Sequence, residues 1–141
     1  MLHEVTFKEI VIVPKKRFRI KQEQSYRVHL QNKSHNILPI YIGEDQARAI
    51  IGGTDLVPSP TLPTRPLTHD LFADVLASWS LDIEKVVIKE LNDDIYFASL
   101  IVKQGNTTKE IDSRPSDAIA LAVRSECPIF VSETLMASVT V

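Results

Sequence analysis

The segment 95–102 is apolar on both sides of the two-residue repeat of a β-strand. Tyr96, Ala98, Leu100 and Val102 share one parity, and Ile95, Phe97 and Ile101 share the other. A strand with water on one face alternates apolar with polar residues. One that is apolar on both is central in its sheet and covered twice, by helices or by a partner subunit. Residues 83–91 carry a second strand pattern, and Asn92-Asp93-Asp94 separates the two, so the pair reads as a β-hairpin.

The other elements fall around this hairpin. Residues 5–13 are rich in β-branched side chains and stop at Pro14. Residues 26–30 alternate Tyr26, Val28 and Leu30 with polar neighbours, turn at 32–36, and return as 38–42. Pro39 confines that return strand to an edge or a strand start. Gly43 opens a short helix buried through Ala47, Ile50 and Ile51 and ended by Gly52-Gly53. After a loop with four prolines at 54–67, Thr68 is the expected N-cap of a helix. Its Leu71, Phe72, Val75, Leu76 and Trp79 form the clearest helical stripe in the chain. Gly105-Asn106 turns the chain into a strand at 107–111. A helix at 113–125 follows, buried through Ala118, Ile119, Ala122 and Val123, then a strand at 128–131 and a tail that reads as helix or strand. The mixed order predicts an α+β fold: a single domain, 1–141, with a mixed or antiparallel sheet and about three short helices.

Charge narrows the function classes. Sixteen basic and 18 acidic side chains give a net charge of −2, so the molecule as a whole does not attract polyanions. The basic residues are unevenly spread, with eight Lys/Arg against three Asp/Glu in residues 1–35. The connector 15–21, with Phe18 and Ile20 interleaved and Arg27 and Lys33 nearby, has the chemistry to follow a nucleic-acid backbone. A lysine-protected sheet edge is the simpler account of it. The one cysteine, Cys127, excludes an internal disulfide framework. With no leader pattern and no apolar run of bilayer length, the expectation is a cytoplasmic protein without membrane contact. Phosphate-binding glycine loops, CxxC pairs, HExxH and GxSxG are all absent from the sequence.

Two helix starts hold the chemistry. Asp112-Ser113-Arg114-Pro115-Ser116-Asp117 puts two carboxylates, an arginine and two hydroxyls into one helix entry, about twice what capping uses. Arg65-Pro66-Leu67-Thr68-His69-Asp70 opens the other with a histidine and a third acid. Phosphodiester hydrolysis uses carboxylates or imidazoles to hold a divalent ion and orient water, and a cation on the phosphate. Asp70, Asp112 and Asp117 are therefore candidate metal or water ligands, with Mg²⁺ or Mn²⁺ the expected ion. His69 is the candidate proton carrier, and Arg65 and Arg114 are the candidate phosphate contacts. Taken singly, each is also explained as a cap or a partner of the helix dipole.

Together with the run Leu38-Pro39-Ile40-Tyr41-Ile42-Gly43 and with Pro128-Ile129-Phe130-Val131, these two segments resemble the bifunctional nuclease family in order and approximate spacing, over about residues 26–135. The resemblance implies an α+β domain, commonly a homo-oligomer, acting on RNA and/or DNA. Gln46 stands where the family pattern usually has Glu. The competing expectation is a non-catalytic oligomeric binding or regulatory module of the same fold, its subunits meeting over the doubly apolar strand 95–102.

Overall fold

The structure is a computed structural model that describes residues 1–14, 24–56, 65–92 and 95–139. The basic connector and part of the proline-rich loop lie outside the described residues. Seven strands form one sheet in the order β3-β2-β1-β7-β4-β5-β6. They are β1 (Leu2–Pro14), β2 (Gln24–Asn32), β3 (Ile37–Ile42), β4 (Asp82–Asn92), β5 (Ile95–Gln104), β6 (Thr107–Ser113) and β7 (Ile129–Ser132). Neighbours are antiparallel except β4 and β7, which run parallel, so the sheet is mixed and the fold is α+β. Pro39 lies on β3, an edge strand, where a missing N–H is tolerated. Gly105 turns β5 into β6 at φ 57°, in the left-handed region open to glycine without strain.

Four helices accompany the sheet: α1 (Glu44–Ile51), α2 (Thr68–Ser78), α3 (Pro115–Ser125) and α4 (Glu133–Ala137). The tail thus resolves as a short helix, its N-terminus capped by the Ser132 hydroxyl. Helix α3 is the centre of the helical layer. Ser116 and Ala118 through Ala122 are all buried, with α1 and α2 on its flanks and β4 and β5 beneath. Its alanines let the backbones approach closely.

The core draws on one face of the sheet. Val86, Ile88, Ala98, Leu100, Val102, Ile129 and Val131 cluster with side chains of α1, α3 and α4. Phe97, Ile101 and Phe130, of the opposite parity, stay half-buried and outside that cluster. The double covering expected for 95–102 is therefore half met within the chain. Strand β5 is one strand in from the edge, and no helix among the described residues covers its second face.

Helix α2 departs further from expectation. Leu71, Phe72, Val75 and Trp79 keep between 49% and 71% of their surface exposed, and only Leu76 of the stripe packs against the core. Periodicity had correctly marked one apolar face. That face stays exposed because α2 meets α3 through His69 and Asp70 of its first turn, and Leu76 is the part of the stripe that reaches the core.

Gly53, just past α1, is shaped by α3. A Cβ built there would lie 2.7 Å from Arg124 Nη1 and 2.8 Å from Val123 Cγ2. Gly53→Ala is expected to destabilise the protein by about 1–3 kcal/mol through overpacking, read as a lower urea midpoint with an unchanged m-value.

Candidate active site

The two polar helix starts meet. Arg114 is the N-cap of α3 and Pro115 its first residue, a position where the missing N–H of proline costs nothing. Asp117 follows one turn into the helix, and Arg114 reaches forward to it. Arg114 Nε donates to Asp117 Oδ2 at 2.7 Å and Nη2 to Oδ1 at 3.2 Å. The third partner comes from 48 residues upstream, as His69 Nε2 lies 2.9 Å from Asp117 Oδ1. Neither Ser113 nor Ser116 caps the helix. The Ser113 hydroxyl donates to the Arg114 carbonyl, and Ser116 is buried.

Helix α2 starts one residue earlier than expected, with Leu67 as its N-cap and Thr68 inside it. Asp70 supplies the cap in reverse, its Oδ2 accepting from the Leu67 backbone N–H at 3.1 Å. Its other oxygen takes 2.6 Å from Arg124 Nε. That arginine was not singled out by sequence reasoning. The available signal was its place seven residues after Asp117, two turns on along the same face of α3. Its Nη1 also donates to the carbonyls of Ala49 and Ala120, so one nearly buried guanidinium joins α1, α2 and α3.

These bonds set the charge states. Burial works to raise the pKa of Asp117, but the hydrogen bonds from Arg114 and His69 outweigh it and hold the carboxyl below its ordinary 3.8. The Arg124 hydrogen bond is the main reason that Asp70 is also held low. Bonding to Asp117 raises the pKa of Arg114. A carboxyl depressed in the folded state contributes stability that is present above its unfolded pKa and lost as pH falls through the folded value. The thermal midpoint is thus expected to be flat near neutrality and to drop below about pH 4. Asp70→Asn with Asp117→Asn should shrink that drop.

The His69–Asp117–Arg114 cluster stands between two depressions. One, of about 640 Å³, is lined on its far side by Gly43, Glu44, Asp45 and Gln46 at the start of α1. Gln46 Oε1 accepts from the Gly43 N–H at 2.7 Å, so it performs the capping that a Glu would perform there. The other, of about 630 Å³, runs between α2 and β6 and has apolar walls. A further hollow beside Cys127 gathers no comparable polar set, and burial pushes the Cys127 thiol up, away from the reactive thiolate.

The remaining sequence candidates do not join the cluster. Asp112 pairs across β6 with Ser99, whose parity is opposite to the core-facing Ala98 and Leu100. By strand parity it belongs to the sheet face away from the helices, although it also lines the second depression together with His69, Arg114 and Asp117. Arg65 is exposed ahead of α2 and lines neither depression. Asp70 faces Arg124. Among the described residues, no group of three His, Cys, Asp or Glu side chains is arranged to hold a metal ion. Also among the described residues, no helix is long and apolar enough to cross a membrane.

The chain is similar to known proteins. The family model described as the bifunctional nuclease domain matches residues 28–141, which span both helix starts. Two relatives from two strains of Mycobacterium tuberculosis, each described as an uncharacterized protein, are 35% identical over 121 residues. That alignment covers 84% of this chain and 70% of each relative.

Proposed function

This chain belongs to the bifunctional nuclease domain family, and on that basis we propose that His69, Asp117 and Arg114 cleave phosphodiester bonds in RNA or DNA. The observation that carries the reading is the 2.9 Å contact between His69 Nε2 and Asp117 Oδ1. A carboxylate on Nε2 holds a proton there and leaves the Nδ1 lone pair to take one from the attacking oxygen. The new P–O bond forms to that oxygen while the bond to the leaving oxygen breaks. The imidazolium then gives that proton to the leaving oxygen, which departs as a hydroxyl. Arg114 spends two of its five donors on Asp117, and the others face solvent, where they bind phosphate oxygens. Asp117 is engaged by Arg114 and His69, and Asp70 by Arg124, so the proton transfer is assigned to His69 and asks for no bound ion.

The test is an assay of highly purified protein on single-stranded RNA and DNA, with and without EDTA, beside His69→Ala and Asp117→Ala. Cleavage that persists in EDTA and falls in both variants is the expected result. Equal cleavage by all three proteins marks a contaminant and ends the reading.

A second reading, a non-catalytic module that assembles with copies of itself, is favoured by Phe97, Ile101 and Phe130 on the uncovered sheet face. Sedimentation as a monomer over a wide concentration range rules it out.

A further inference from the structure

The depression between α2 and β6 has a composition that proton transfer does not call for. It leads away from His69, Arg114 and Asp117 between walls formed by Phe72, Leu100, Ile111 and Leu121. Phe72 and Ile111 form its lips, and both keep close to half of their surface exposed. A groove of this kind beside a phosphate-binding arginine matches a molecule with a flat apolar ring next to an anion. We infer that this groove takes an unstacked nucleobase of the strand under attack, so that the site selects single-stranded nucleic acid.

The inference rests on the proposed reading of Arg114 as a phosphate contact. A volume of about 630 Å³ is within the range of small-ligand pockets and ample for one base. Phe72 supplies a ring on which any base can stack. A base inside a duplex is paired and stacked, and has to be flipped out before it enters such a groove. Beside its apolar walls the groove is also lined by Thr68, Asp112 and Ser113. The Ser113 hydroxyl is engaged with the Arg114 carbonyl, and Asp112 shares the strand parity of Ser99. Stacking on Phe72 selects for strandedness, because only an unpaired base can reach the ring.

The experiment uses full-length His69→Ala protein, which binds without cleaving, and fluorescence anisotropy of three labelled probes. These are a single-stranded oligonucleotide, the same strand in a duplex, and an abasic strand of the same length. The intact single strand is expected to bind about 10-fold tighter than either of the others. Adding Phe72→Ala should remove that advantage without changing duplex binding, and Phe72→Tyr, which keeps the ring, should retain it. Equal binding of all three probes, no binding of the single strand, or indifference to Phe72→Ala overturns the inference. So does a Phe72→Ala change that only turns a dimer into a monomer, since a second copy is then the occupant. Cleavage and binding separate the two proposals. A wild-type protein that binds as expected but does not cleave sinks the reaction alone, and one that cleaves single strands and duplexes equally sinks the groove alone.

Discussion

Replacing Arg124 with methionine is expected to cost the fold about 2–4 kcal/mol, toward the lower part of the range for breaking a buried ion pair. Its side chain is only 7% exposed and makes three hydrogen bonds of 2.6–2.9 Å, one to a carboxylate and two to main-chain carbonyls. Methionine fills much of the same volume, so the loss is electrostatic and polar rather than a cavity. The Ala49 carbonyl belongs to the last turn of α1, where a helix lacks internal partners for its C=O groups. Asp70 is 38% exposed and recovers water when its partner leaves, which lowers the cost. The thermal midpoint should fall by roughly 10 °C. Asp70→Asn should be milder, about 1 kcal/mol, because Arg124 then keeps both carbonyls. If Arg124→Met and Asp70→Asn lower the midpoint equally, the guanidinium is not the junction of the three helices. Arg124 also sets where α2 starts on α3, so the variant should lose activity at temperatures where it is still folded.

The hairpin at β4 and β5 was legible because two runs rich in β-branched and aromatic residues flank the turn signal Asn92-Asp93-Asp94. So was the α3 entry, where proline, serine and aspartate at fixed offsets mark a helix start. The direction in which α2 presents its apolar stripe was not legible. Periodicity shows that Leu71, Phe72, Val75 and Trp79 share a face, but what lies opposite depends on how α2 crosses α3. His69 and Asp117 could each be picked out as a polar group at a helix start, whereas their contact depends on the same crossing. Asp112 shows the opposite failure. It is close to Asp117 in sequence, but strand parity is set by pairing with β5, and Ser99 opposite it faces away from the core. Arg124 carries no comparable mark in the sequence, since an arginine in the last turn of a helix is also what the dipole favours.

Asp117→Asn should reduce cleavage by about 10²–10⁴-fold while leaving the fold almost unchanged. The amide is the same shape as the carboxylate, so Pro115, Ser116 and the helix start are undisturbed. Its effect is on the proton of His69. A carboxylate accepts only, which keeps hydrogen on Nε2 and leaves the Nδ1 lone pair to act as the base. An amide NH₂ donates to Nε2 equally well and shifts the hydrogen to Nδ1, leaving that nitrogen a donor in place of a base. The variant also removes the negative charge that stabilises the imidazolium and loosens the bidentate hold on Arg114. His69→Ala should cause a loss of the same size, and the double variant little more than either alone, as for groups that act as one unit. Arg114→Lys keeps a positive charge but not the planar fork, so it should lower activity less than either. Losses from His69→Ala and Asp117→Asn that multiply in the double variant would mean that the two side chains act separately. In that case the contact between them organises the helix junction and is not the source of the chemistry.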